Sequence, residues 1–535
     1  MNQMEGKRRR YAIISNLIFM GNLLVLSGVI GEHGVGYLAG AFECFFLFMM
    51  LTVYTMPEAM ERLMRVRMQK GQAGNAMRVL NAALFLGLVY SVIGSILMGV
   101  GAEFLLEKLI GVSYAAFTLR LFIPAYVLFT FAQAFRGFFQ GMGTAVPTGI
   151  SGILEQLILF GAGLLFCFLF KGYGEKVSAF LVNEEFTYSF ASAGVAVGFA
   201  VAELFVVLFL FFVYVTNKRH IRRGNRETFR MKERMGELAY ILVMTMLPTI
   251  ACVLPCRVVI LGGMTLFQHQ TGVPAADGIG FLGAFYGKYL ALIAIVVMVQ
   301  LFPLISLIGQ IQNACKKEEY KYGKERLATG VHALMMQGTF LAVFLAVFSE
   351  TLMGLLYKTD SKTAGLLLQV GSVLVLFVPL GIFFLQILTG LGKNRKVCLS
   401  LLTGAVAFFA AAGISMGVFH AGIKGVVIGL CICWLVILCG GGFLCMRSLK
   451  WKPEWIYLVV IPTGCAAVSG IMMLLLNKAL VSLVGEGVAF LICLLVGVVA
   501  NFILLLALRG IRREEMETFP GGRILCKFGE ILHFL

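Results

Sequence analysis

Charged residues are scarce. Asp, Glu, Lys and Arg together make up 13% of the 535 residues, against 60% hydrophobic ones. Soluble domains carry about 25% charged and about 45–50% apolar residues, so a water-soluble globular fold is excluded. A mean hydropathy of +0.92 says the same. Patterns for metal binding and catalysis are missing too. The 13 Cys lie almost entirely inside apolar runs, and no pair is flanked by His or Cys at zinc spacing. Cys252 and Cys256 sit one helical turn apart, which suits packing. We expect no disulfide framework, no metal site and no cofactor. There is no HExxH and no Walker A, and the 6 His are scattered. Gly413-Ile414-Ser415-Met416-Gly417 matches GxSxG, but in an apolar helix rather than after a strand. An enzyme is therefore not expected.

Long apolar runs are what the chain has instead. A spanning helix needs about 20 mostly apolar residues, and fourteen such runs lie near 11–31, 35–56, 79–100, 121–143, 148–170, 193–215, 239–262, 278–302, 331–354, 365–390, 397–418, 422–446, 454–476 and 483–508. Lys7-Arg8-Arg9-Arg10 before the first run resembles a signal-peptide n-region. The run is long, lacks a clear small-residue cleavage site, and is followed at once by a second span, so a retained helix is expected. The fold class is an all-α polytopic membrane protein.

Basic residues orient the spans. With both termini cytoplasmic, the cytoplasmic segments hold 33 Lys+Arg and the external ones 8. The net charge of +17 is then topology and attraction to anionic lipid, with no need of nucleic acid. Eight basic residues in 216–238 fit a linker on the inner leaflet.

The chain also resembles itself. Gly34-Val35-Gly36-Tyr37-Leu38 returns as Gly278-Ile279-Gly280-Phe281-Leu282, Pro57 as Pro303, and Gly141-Met142-Gly143 as Gly390-Leu391-Gly392. A six-helix unit repeated in parallel follows, surrounding a central cavity, with two helices added at the end. The expected divisions are an N-terminal bundle over 1–215, the linker at 216–238, a second bundle over 239–446, and two extra helices with a basic tail over 447–535.

An ionisable side chain at mid-bilayer costs at least about 2.5 kcal/mol, so each is a functional candidate. Arg136 and Glu155 both lie about 10 Å deep on consecutive antiparallel helices, which suits a structural ion pair. Nearer the outside are Glu43, Arg257 and Lys288. The repeat aligns Lys288 with Cys44, beside Glu43, which suggests a Glu43–Lys288 pair across the cavity or a net-cationic site for an anionic group. Glu203, near mid-depth, is a candidate for coupling to a proton or Na+. Pro248 and Pro255 interrupt the seventh helix just before Arg257, each removing a backbone hydrogen bond, and mark a hinge.

Arg136-Gly137-Phe138-Phe139-Gln140-Gly141-Met142-Gly143, with Pro147-Thr148, Ser151 and Ile153-Leu154-Glu155-Gln156, resembles the fourth-to-fifth-helix signature of polysaccharide and lipid-linked-oligosaccharide exporters. These belong to the multidrug/oligosaccharidyl-lipid/polysaccharide (MOP) superfamily, especially the branch of stage V sporulation protein B and the lipid II flippases. Gly34-x-Gly36 and Leu388-Thr389-Gly390-Leu391-Gly392-Lys393 agree with it. The resemblance implies a flippase in the bacterial plasma membrane that moves a polyprenyl-diphosphate-linked saccharide outward. Glu43 matches the family's acid on helix 2, and Lys288 its cation on helix 8. Helix 1 departs from the pattern, since Tyr11 to Ile30 contains no Arg or Lys, which counts against lipid II itself. The external loop at 171–193 is longer than usual. The expected partners are membrane lipid and an anionic lipid-linked saccharide, with the chain acting as a monomer. The alternative is a cation-coupled multidrug exporter of the multidrug and toxic compound extrusion (MATE) branch, which favours acidic cavities. Glu43 and Glu203 suit it; Arg257 and Lys288 do not.

Overall fold

The computed structural model describes residues 2–224, 233–270, 275–357, 362–508 and 510, and among them every regular element is helical. The expected linker's basic side chains from Lys218 to Lys232, and the basic tail from 511 onward, lie outside the described residues. Twelve helices are long and apolar enough to span, and a pair bent by 51°, Lys362–Gly371 with Leu374–Gly390, adds a thirteenth. The first of the twelve is a run of 64 residues, too long for one crossing. It covers most of α1 (Asn2–Thr52) together with the helix that follows, and α1 leaves helical geometry at Gly31, with φ 72° and ψ 178°. Only glycine adopts that conformation readily. The rings of Phe19 and Phe42 stack at 5.5 Å, whereas a straight helix would hold them about 35 Å apart. Thus α1 is a hairpin whose two limbs are each long enough to cross, and counting them separately gives fourteen candidate spans among the described residues.

Packing divides the chain into one unit of Met1–Leu292 with Phe409–Val426 and a second of Ile293–Phe408 with Val427–Leu535. These boundaries differ from the ones the repeat suggests. The seventh helix and the first part of the eighth pack with the N-terminal helices because α1 lies against both.

The first unit runs through α1, α2 (Met56–Gln69), α3 (Ala73–Glu103), a π-helical turn at Phe104–Ile110, α4 (Ala115–Leu121), α5 (Ile123–Gly141), α6 (Val146–Leu181), α7 (Glu185–Gly224), α8 (Met235–Gln270), α9 (Ala275–Gly283), a second π-helical stretch at Ala284–Leu290 and the start of α10 (Ala291–Leu301). The second unit holds α11 (Leu304–Lys316), α12 (Tyr320–Val347), α13 (Ser349–Leu356), α14 (Lys362–Gly371), α15 (Leu374–Gly390), most of α16 (Asn394–Gly417) and α17 (Ile423–Leu449), and then α18 (Ile461–Val484) and α19 (Glu486–Ala507). The order of elements repeats along the chain. Pro57 opens α2 as Pro303 opens α11, and a short helix precedes both α5 and α15. The stretch at 171–193 is not a loop: α6 continues to Leu181 and α7 starts at Glu185. Nor is the seventh helix interrupted, because α8 runs through both Pro248 and Pro255.

One end of the first unit is knit by surface charges. Arg8 donates to Glu61 at 2.6 Å and to Gln140, and Arg67 donates to Glu233 at 2.6 Å. At the other end the α1 turn is clamped against α9. A methyl group added at Gly283 would lie 1.7 Å from the Glu32 carbonyl oxygen, and one at Gly36 would lie 2.2 Å from that of Ile279. Glycine is what permits this backbone-on-backbone approach, as is usual for membrane helices.

Gly283→Ala is therefore expected to destabilise the protein by about 1–3 kcal/mol, the cost of overpacking. Gly413→Ala, whose added methyl meets nothing within 4 Å, should leave stability unchanged or raised. Thermal unfolding of both purified variants in detergent measures the difference.

Candidate functional site

Glu43 lies on the second limb of the α1 hairpin, Arg257 on α8, and Tyr286 and Lys288 on the π-helical stretch after α9. The glycine-mediated approach of α1 to α9 closes the gap between these elements. Glu43 is only 1% exposed. Arg257 Nη1 donates to its two carboxylate oxygens at 3.1 and 3.4 Å, and Tyr286 Oη donates to Oε1 at 2.9 Å. The guanidinium also rests over the Phe46 ring, 4.1 Å from its centroid, a cation–π contact that strengthens as water is excluded. Phe46 is three residues from Glu43, on the same helix face, so α1 supplies both the counter-charge and the platform. The side chain of Arg257 stays 26% exposed. Its other guanidinium nitrogens have no hydrogen-bond partner among the described residues.

Lys288 is arranged differently. Its ammonium donates to Glu32 Oε1 at 2.7 Å, and it is 3% exposed. The expected Glu43–Lys288 pair is therefore not formed in this conformation. Two features account for the exchange. Hydrogen bonds in the π-helical stretch span one residue more than those of an α-helix, so side chains along it point in directions that simple alignment with α1 does not give. The reversal at Gly31 carries Glu32 onto α9, where it meets Lys288 first. Three sequence-selected residues thus form two ion pairs, completed by Glu32 and Tyr286, which sequence reasoning passed over. Glu32 reads as part of a turn between spans. Its signal is its place directly after Gly31, in a segment that opens with the repeated Gly-x-Gly. Tyr286 lies two residues before Lys288 and looks like one more core aromatic.

A further latch joins the α1 turn to the start of α7. Tyr37 Oη donates to Glu185 Oε2 at 2.6 Å, and His33 Nδ1 lies 3.4 Å from Glu185 Oε1. Neither contact was foreseen.

Deeper in the same unit, Arg136 Nη2 donates to Glu155 Oε2 at 2.6 Å, and Arg136 Nε donates to Ser151 Oγ at 3.0 Å. Gln156 Nε2 supports the other carboxylate oxygen at 3.0 Å. Close packing of α6 on α7 brings Glu203 into the electrostatic reach of this pair. It depends on Gly194 and Gly198, where added methyls would lie 2.3 Å from the Phe166 carbonyl oxygen and 2.5 Å from the Gly163 Cα. Glu203 is 2% exposed, and its Oε2 has no hydrogen-bond partner among the described residues.

Paired charges inside the apolar interior of a polytopic helical bundle mark candidate functional positions of a membrane protein. Residues 11–306 match the family model described as polysaccharide biosynthesis protein, and the chain belongs to that family. It is 21% identical to stage V sporulation protein B of Bacillus subtilis (strain 168) over 529 residues, 96% of this chain and 97% of that protein. Among solved structures it resembles lipid II flippase MurJ in an inward closed conformation, with a TM-score of 0.61, 12% identity, and coverage of 92% of this chain and 96% of that one. It also resembles the inward-facing conformation of a multidrug resistance MATE family transporter of the MOP superfamily, with a TM-score of 0.64, 15% identity, and coverage of 82% and 94%. The chain is thus a polytopic membrane protein of the polysaccharide biosynthesis protein family, with the fold that MurJ and MATE transporters share.

Breaking a buried ion pair from one side leaves an uncompensated charge and costs about 3–5 kcal/mol. Arg136→Met alone should therefore destabilise strongly, and Arg136→Met with Glu155→Leu should recover most of the loss. A double-mutant cycle on unfolding midpoints in detergent reads the coupling.

Proposed function

We propose that the protein flips an anionic, polyprenyl-diphosphate-linked saccharide from the inner to the outer leaflet of a bacterial plasma membrane, as a monomer with both termini cytoplasmic. The observation that carries this reading is the state of Arg257: buried among apolar helices, held by Glu43 and Phe46, yet partly exposed with donors to spare. Arg presents a planar fork of donors that matches phosphate oxygens. A diphosphate arriving beside it takes over from Glu43 as counter-ion, and separation of α1 from α9 frees Lys288 from Glu32 for the same use. The substrate's charge then never faces hydrocarbon unpaired, while its lipid tail stays in the bilayer. A negative cell interior favours export by about 2.3 kcal/mol per charge per 100 mV.

Resetting the cycle needs a site whose charge changes. Glu203, buried with an unpartnered oxygen beside Arg136–Glu155, is that site in this reading and takes up a proton or Na+. Pro248 and Pro255 let α8 bend, because each lacks a backbone donor. A cation-coupled drug exporter would keep Glu203 but would gain nothing from Arg257.

Leaflet exchange of a fluorescent undecaprenyl-diphosphate disaccharide in proteoliposomes tests this. Arg257→Ala with Lys288→Ala is expected to slow exchange at least about tenfold, equivalent to about 1.4 kcal/mol of lost differential binding. Unaltered exchange in that variant, or export of a cationic dye without lipid exchange, would overturn the assignment. Glu203→Gln is expected to abolish stimulation by an imposed proton or Na+ gradient while leaving gradient-free exchange measurable.

A further inference from the structure

The α6–α7 hairpin is longer than a bilayer requires. Lys171 lies about 36 Å along α6 from Pro147, past an apolar core about 30 Å thick. At this end, away from the basic N-terminus, the two helices and their connection border an open hollow of about 610 Å3. That volume suits a small-molecule ligand. Its lining includes Lys171, Glu175, Ser178, Asn183, Glu184 and Tyr188. Although they converge on one space, the side chains of Lys171, Glu175 and Glu184 make no ion pair or hydrogen bond with one another or with any other described residue.

We propose that this hollow binds the saccharide portion of the transported molecule after it emerges. The inference rests on the flippase reading and names a second recognition site for it. A sugar presents hydroxyls that both donate and accept, together with an apolar ring face. The hollow offers matching chemistry: two carboxylates as acceptors, an ammonium as donor, amide and hydroxyl groups that serve as either, and the flat ring of Tyr188. With two acidic side chains against one basic, its charge disfavours a phosphate, so the glycan fits here and the diphosphate does not.

Position supports the same ligand. The Tyr188 ring lies 5.4 Å from that of His33. His33 in turn contacts Glu185, which also holds Tyr37. The hollow therefore adjoins the α1 turn, whose Glu32 restrains Lys288. A sugar seated on Tyr188 rests directly beside the contact that must open for the diphosphate to pass, and holding it there opposes its return.

The test separates sugar binding from lipid flipping. Full-length protein in nanodiscs is titrated with lipid-free N,N′-diacetylchitobiose, maltose and lactose, followed by saturation-transfer NMR. At least one is expected to bind with a dissociation constant of about 1 mM, in the weak range. Tyr188→Ala, and Glu175→Gln with Glu184→Gln, should each weaken binding at least about fivefold, whereas Tyr188→Phe, which keeps the ring, should not. Arg257→Ala with Lys288→Ala should retain sugar binding while slowing lipid exchange at least about tenfold. If none of the three sugars binds, or if Tyr188→Ala and the Gln pair bind like wild type, the proposal fails and the flippase reading stands. If sugars bind but wild type exchanges no lipid, the flippase reading fails instead.

Discussion

Ionised side chains cannot stay unpaired inside an apolar bundle, and this constraint organises the first unit. Moving one charge from water into a low-dielectric interior costs several kcal/mol even after relaxation. Glu43, Arg257, Glu32 and Lys288 meet that cost by pairing, and the pairs draw together α1, α8 and the π-helical stretch after α9. Because each pair joins different helices, the same contacts that make the charges tolerable also hold those helices together. A ligand of opposite charge can replace a carboxylate partner at little electrostatic loss. That makes an ion-paired contact responsive to an anion, where a purely apolar contact would not be.

The glycines and the ion pairs act together. Gly36 and Gly283 allow the α1 turn to lie backbone against backbone on α9, and only at that distance does Glu32 reach Lys288. Such a contact is tight. Around it Val35, Leu38, Ile279 and Leu282 are buried, so the two elements are held by apolar packing as well as by charge. The Arg136–Glu155 pair has a different setting. Supported by Ser151 and Gln156 within one helical connection, it fixes α5 to α6 and gives Glu203 a polar neighbourhood.

Hydropathy and charge made the crossings legible, because a lipid solvent demands length and apolarity of every span. The spacing of Arg136 and Glu155 from a shared helix end placed them at equal depth, and they do meet. Ion-pair partners of Glu43, Arg257 and Lys288 were harder to read. Lys288 looked equivalent to a neighbour of Glu43 by repeat alignment, but a π-helical turn has no signature in hydrophobic pattern and shifts the side chains it carries. Glu32 was hidden by its place at a turn, where a charge normally faces water. The two prolines of α8 suggested an interruption, yet the helix continues because the surrounding packing overrides one missing donor at a time. The segment at 171–193 read as a loop, since its polar residues carry no spanning signal, while local hydrogen bonding continues both helices into it.

The central claim is that the α1 turn must part from α9 for transport. The most direct test is a reversible tether across that contact: His33→Cys with Gly280→Cys, chosen because a methyl added at Gly280 would lie 3.0 Å from His33 Nε2, in a background with the native cysteines replaced. Lipid exchange in proteoliposomes should stop when the pair is oxidised and return on reduction, with each single cysteine insensitive to oxidant. Undiminished exchange through the fully cross-linked protein would contradict the account.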